Sequence, residues 1–190
     1  MKRSESSLVR KSKSGNSHAY GMLVRKYQAQ ILSLAYDLSG NYEDAQDLAQ
    51  EAFIRAYERL PQFKEQSRFS TWLYRITVNL VMDFHRTRQR TTVESLQSMA
   101  YKLPADADSS AYITDRTHRV ARELRNEKIE AALAELTDHQ RLAVVLKYFH
   151  EKSSPEIAEI MECSAATART HIFRGLQKLK KLLQAEDARE

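Results

Sequence analysis

The 190-residue chain carries 30 Lys and Arg against 25 Asp and Glu, a net charge of +5 with a pI near 9.3, which leaves room for one domain or two small ones and hints at a polyanionic partner. A single cysteine, Cys163, excludes an intrachain disulfide framework and fits a reducing cytoplasm. No apolar run approaches the ~18 residues of a membrane span, and the basic N-terminus MKRSESSLVRKSKSGNS lacks the apolar core of a signal peptide.

Four Gly and three Pro among abundant Ala, Leu, Glu, Arg and Gln point to helices throughout, with no convincing strand. SHAYGMLVRKYQAQILSLAYDL, from Ser17, places Leu23, Tyr27, Ile31, Leu34 and Leu38 on one stripe, and Gly40-Asn41 supplies a C-cap and turn. NYEDAQDLAQEAFIRAYERL buries Ala45, Leu48, Ala49, Ala52 and Ala56 before Pro61 stops it. A third long helix shows Leu73, Ile76, Thr77, Leu80 and Phe84 at i, i+3, i+4, i+7 and i+11. These make a helical bundle over residues 1–90, the part that carries the charge excess, with 15 cations to 9 acids.

Residues 91–117 lose the periodicity and gather Ser, Thr, Asp and Pro104, the signature of a flexible or partly ordered linker. Helical pattern resumes near His118. Ile129, Leu133 and Leu136 stripe one helix, and Thr137 or Asp138 caps the next. Ser153 or Ser154 then caps a short helix, Glu162-Cys163 turn, and Ser164 caps a longer helix. A short helix, a tight turn and a longer helix make a helix-turn-helix. The expected architecture is all-α: two small helical domains, 1–90 and 118–190, joined by the linker.

Three surfaces invite function. On the last helix Ala168, Ile172, Leu176, Leu179 and Leu183 face inward, while Arg169, Thr170, Phe173, Arg174 and Gln177 face outward beside His171. Between Ser164 and Leu182 stand five cations, Lys178 among them, and no acid. Such a helix offers donors to base edges and phosphates, unlike a merely solvated basic face. Asp44, Asp47 and Glu51 share a second face with Gln50 adjacent; without a His, Lys or Cys constellation they suit neither acid–base catalysis nor a metal, and a docking role stays open. The third surface interleaves Phe63, Phe69, Trp72 and Tyr74 with Lys64, Arg68, Arg75, Arg86, Arg88 and Arg90. Cys163 reads as a small half-buried turn residue rather than a redox sensor.

The strings DAQDLAQEAFIRAYERLPQF and SRFSTWLYRITVNLVMDFHR, with the terminal ARTHIFRGLQKLKKLL, resemble the extracytoplasmic-function (ECF) sigma factors of bacterial RNA polymerase over nearly the whole chain. The resemblance implies sigma region two over 1–90, region four over 118–190, and no cofactor, metal, small-molecule substrate or enzymatic activity. It implies that Asp44, Asp47, Gln50 and Glu51 dock on the clamp helices of the largest polymerase subunit, with the polymerase flap as a further contact. It also implies that Phe63, Lys64, Arg68, Phe69, Trp72, Arg75, Asn79 and Arg86 hold the −10 promoter element as melted single strand. Aromatic stacking there is worth ~1–3 kcal/mol per base. Trp72 and Tyr74 also read as core or core-edge residues, because TWLYRI must anchor its helix. By the same resemblance Arg169, Thr170, His171, Phe173, Arg174 and Lys178 grip −35 duplex in the major groove, and a membrane-anchored anti-sigma factor holds the free, cytoplasmic protein at the inner membrane.

Two other readings compete. A stand-alone helix-turn-helix regulator would dimerise on a palindrome, and leaves the acidic face and the aromatic loop without a role. A nuclease or base-flipping enzyme needs a metal set or nucleophile–base pair that the sequence does not offer.

Overall fold

The computed structural model describes residues 5–96 and 127–187. Among them every regular element is helical. The first unit comprises α1 (Glu5–Lys13), α2 (Ser17–Ser39), α3 (Tyr42–Arg59), a 3₁₀ turn (Leu60–Gln62) and α4 (Phe69–Leu96). The second comprises α5 (Glu127–Ala134), α6 (Asp138–Val144), a π turn (Val145–Phe149), α7 (Ser154–Ile160) and α8 (Ala165–Asp187).

The boundaries follow from local chemistry. Asn16 caps α2 by accepting from the Ala19 N–H at 2.9 Å. Gly40, at φ 73°, closes that helix in the left-handed conformation and sends its N–H to the Tyr36 carbonyl. Asn41 immediately caps α3 through the Asp44 N–H. Thr137 caps α6, so the threonine of the two candidates serves. Ser153, rather than Ser154, caps α7 in a reciprocal box: Glu156 accepts from the Ser153 N–H at 2.9 Å, while the Glu156 N–H donates to the serine hydroxyl.

Three differences from the sequence reading stand out. Helix α1 precedes the three helices expected within residues 1–90; it is short and basic, and only Leu8, Val9 and Ser12 turn inward, too few for a periodic signal. Helix α4 runs on to Leu96, through residues expected to open the linker, because no Gly or Pro lies between Pro61 and Pro104 to stop it. The rest of the expected linker and the helical start at His118 lie outside the described residues. On α5 Leu133 is buried, as is Leu136 just beyond its end, but Ile129 is exposed; Ala132 takes the inward position.

The two units pack on each other. Helix α7 lies against α4, and the π turn lies against α2. One apolar core passes from Leu23, Ile31, Leu34 and Leu73 to Leu146, Ile157, Ile160 and Ala168. Within the second unit Gly175 lets α8 approach α6: a Cβ there would meet Val144 Cγ2 at 2.7 Å and the Gln140 carbonyl at 3.2 Å. Gly175→Val is expected to cost about 1–3 kcal/mol by overpacking this crossing, read as a lowered urea midpoint.

Candidate nucleic-acid and protein interfaces

On α3 the acidic face is partly engaged. Asp44 accepts from Arg88 of α4 at 3.1 Å, and Glu51 accepts from Arg55 one turn on at 2.7 Å. Asp47 and Gln50 point into solvent. Beside them a groove runs between α2 and α3, lined by Val24, Leu32, Ala49, Phe53, Ile54 and Tyr57. Ile54 and Tyr57 are 45% and 44% exposed, a large apolar area beside an acidic rim. Sequence reasoning passed over both. Their signal was spacing: they stand at i and i+3, off the inward Ala-Leu stripe, and so form a second apolar ridge.

The surface of aromatics and arginines divides into two layers. Phe63, Phe69, Trp72 and Tyr74 are buried, not displayed. Phe63 packs on Trp72 with centroids 4.8 Å apart and edge-on to Phe69 at 6.1 Å, while Tyr27 of α2 lies 5.8 Å from Phe69. The reason is the loop itself: residues 63–68 carry no other apolar side chain to anchor them, so the rings close over the start of α4. Lys13 ties α1 to this loop by donating to the Phe63 carbonyl at 2.7 Å. Beside the rings a cavity opens between α1 and the loop, lined by Glu5, Val9, Tyr27, Phe63, Arg68 and Phe69. Burial alone would raise the Glu5 carboxyl, but hydrogen bonds from Lys26 and Tyr27 outweigh it and hold its pKa below the ordinary value.

The polar members of this surface stay outside. Lys64, Arg68 and Asn79 are exposed and Arg75 is half-buried. Arg86 is paired with Asp83 on its own helix. Arg68 and Arg75 face the second unit, 4.0 Å from Glu156 and 3.5 Å from Glu162.

In the helix-turn-helix, Glu162 takes a left-handed φ of 52°, and the half-buried Cys163 sends its N–H to the Ala158 carbonyl at 2.9 Å. Ser164 then caps α8, accepting from the Thr167 N–H at 3.0 Å. Ala168 and Ile172 are buried, so Arg169, Thr170, Phe173 and Arg174 project from the opposite side, with Phe173 60% exposed. Thr170 returns its hydroxyl to the Ala166 carbonyl at 3.0 Å. His171 stacks on His139 with ring centroids 5.4 Å apart. Burial, then the His139 and Arg174 charges, push its pKa below the ordinary histidine value. Lys178 differs from the others: its ammonium donates to the Glu135 carbonyl beyond α5. Among the described residues no group of three His, Cys, Asp or Glu could hold a metal, and no helix is long and apolar enough to cross a membrane.

An acidic helix face, a cation-bearing helix start and a capped helix-turn-helix thus stand together on a chain whose described elements are all helical. Residues 23–91 match the model of Sigma-70 region 2, and residues 126–179 match that of Sigma-70 region 4. The chain is 35% identical to the ECF RNA polymerase sigma factor SigW of Bacillus subtilis over 93% of this chain and 95% of that one. It is 30% identical to the ECF RNA polymerase sigma-E factor of Escherichia coli K12 over 93% of both. Among solved structures it is similar to CnrH in complex with the cytosolic domain of CnrY, with a TM-score of 0.67 and 26% identity over 94% of this chain and 96% of that one. The sigma factor RpoE of Bartonella quintana, solved with the anti-sigma factor NepR, shares the fold at the same TM-score, 21% identity, and coverage of 87% and 96%. The chain belongs to the ECF RNA polymerase sigma factors. It is accordingly a transcription initiation factor that works with core RNA polymerase on promoter DNA, not an enzyme.

Proposed function

We propose that residues 1–90 bind core polymerase and capture the −10 element, that residues 118–190 grip the −35 element, and that residues 91–117 join them. Helix α3 docks on the polymerase clamp helices through Asp47 and Gln50, with Asp44 and Glu51 held in place by their arginines. The −10 strand lies along Lys64, Arg68, Arg75, Asn79 and Arg86. Phe63, Phe69 and Trp72 shape the loop that receives it, and Asn79 is free to hydrogen-bond a base edge. The −35 duplex meets Arg169, Thr170, Phe173 and Arg174, with His171 and Lys178 at the flank and the polymerase flap behind. The free protein is cytoplasmic, held at the inner membrane by an anti-sigma factor, and serves stress- or envelope-responsive promoters.

The observation that carries this reading is α8. It combines five cations and no acid between Ser164 and Leu182 with an outward row of Arg169, Thr170, Phe173 and Arg174. Run-off transcription with core polymerase on a genomic promoter library tests it. New start sites that need this protein support the reading. No new start sites, with duplex binding by the protein alone, would replace it with a stand-alone regulator. Arg174→Ala is expected to weaken holoenzyme binding to its promoters and to reduce the slope of log K against log salt by about 1 if the side chain meets a phosphate. A relaxed base preference at one −35 position would instead assign Arg174 to a base edge.

A further inference from the structure

The seam between the two units holds polar side chains that neither polymerase docking nor promoter recognition employs. His150, at the end of the π turn, has Nε2 3.0 Å from Asp37 Oδ2 on α2 and Nδ1 3.1 Å from the Tyr74 hydroxyl on α4. The side chains of His150 and Asp37 are only 5% and 3% exposed, and Tyr74 is 1% exposed. With Nε2–H donating to the carboxylate, Nδ1 is left to accept the tyrosine O–H, so a neutral ring satisfies both contacts. The Tyr74 ring also meets His150 edge-on at 5.5 Å and carries the Lys152 ammonium 4.0 Å from its centroid. Buried polar groups persist where they are paired, and these contacts span the two units.

Ion pairs surround this set. Glu162, in the turn of the helix-turn-helix, lies 3.5 Å from Arg75, and Glu156 of α7 lies 4.0 Å from Arg68. The helix-turn-helix of the second unit therefore sets carboxylates against two cations of the first: Arg75 is half-buried under Glu162, while Arg68 stays exposed beside Glu156.

We infer that Asp37, Tyr74 and His150 form an intramolecular latch that keeps the free chain closed, with Glu162 occupying Arg75 in place of a promoter phosphate. Promoter capture then requires the second unit to leave. The latch itself stands on the seam alone; its inhibitory effect rests on the reading of Arg75 as a −10 contact. A binding-competent state that is only fractionally populated lowers apparent affinity by that fraction.

The test uses the full chain. Glu162→Arg sets a cation against Arg75 at an exposed position, so folding is not at stake, and circular dichroism checks this. Solution scattering should show a larger radius of gyration for Glu162→Arg and for His150→Ala than for wild type. The double variant Arg75→Glu/Glu162→Arg should return to the compact value, because the swapped pair can form again. Glu162→Arg should also bind a fluorescent single-stranded oligonucleotide about two- to fivefold more tightly than wild type, the scale of one surface ion pair. If the wild type already scatters as an extended pair of units, or the swap fails to restore compactness, the latch is overturned. If the variants open without any gain in single-strand binding, the latch remains and its inhibitory role is overturned. Transcription by wild-type holoenzyme is scored separately, so failure of the sigma reading is not confused with either result.

Discussion

Phe69→Ala is expected to lower the free energy of unfolding by about 3–5 kcal/mol, the usual cost of emptying a buried aromatic site. Phe69 is 3% exposed and touches three other rings, Tyr27, Phe63 and Trp72, at centroid distances of 5.8, 6.1 and 5.7 Å. It also opens α4, so the cavity would lie where the loop turns into the helix, and collapse there would drag the loop with it. Urea unfolding followed by circular dichroism measures the effect, and an exposed neighbour, Lys64→Ala, is the control expected within about 0.5 kcal/mol of wild type. A small loss for Phe69→Ala would mean that the ring is displayed to solvent in solution and free to stack on a base, as the sequence alone suggested.

Asp47→Arg is the second large effect, this time on function. Asp47 projects into solvent, so reversal of its charge leaves the fold intact. Like charges brought together at an interface cost several kcal/mol, so core polymerase affinity should fall by at least about a hundredfold. Run-off transcription should be lost while the thermal midpoint is unchanged. Glu51→Arg is predicted to be less clean, because it also breaks the pair with Arg55. If Asp47→Arg binds polymerase normally, the docking surface lies elsewhere, and the exposed Ile54–Tyr57 ridge becomes the first place to look.

The helices were legible where apolar periodicity and caps agreed. Leu23, Ile31 and Leu34 on α2, and Ala45, Ala52 and Ala56 on α3, are buried as their spacing indicates. Ser153, Ser164, Gly40 and Asn41 mark real boundaries because capping is decided within four residues. What escaped the sequence was long-range. Arg88 on Asp44 joins residues far apart in the chain, as do Tyr74 and Asp37 on His150. A lone His after an apolar run carries no sign of a buried partner on another helix. The burial of Phe63, Phe69 and Trp72 was hidden for the same reason: aromatic and basic residues alternate in sequence, but the loop folds its rings inward and its charges outward. Helix α4 overran its expected end because a loss of apolar periodicity is not a stop signal.

The junction of α2 and α3 has a thermodynamic consequence. Gly40 ends one helix and Asn41 starts the next, with no residue between them. The two helices that bound the acidic face and its apolar groove are thus fixed relative to each other when the domain folds, and the ordering entropy of that surface is spent before any partner arrives. The docking proposed there is expected to be rigid: its heat-capacity change should report apolar area such as Ile54 and Tyr57 leaving water, without the larger signature of a segment that folds as it binds.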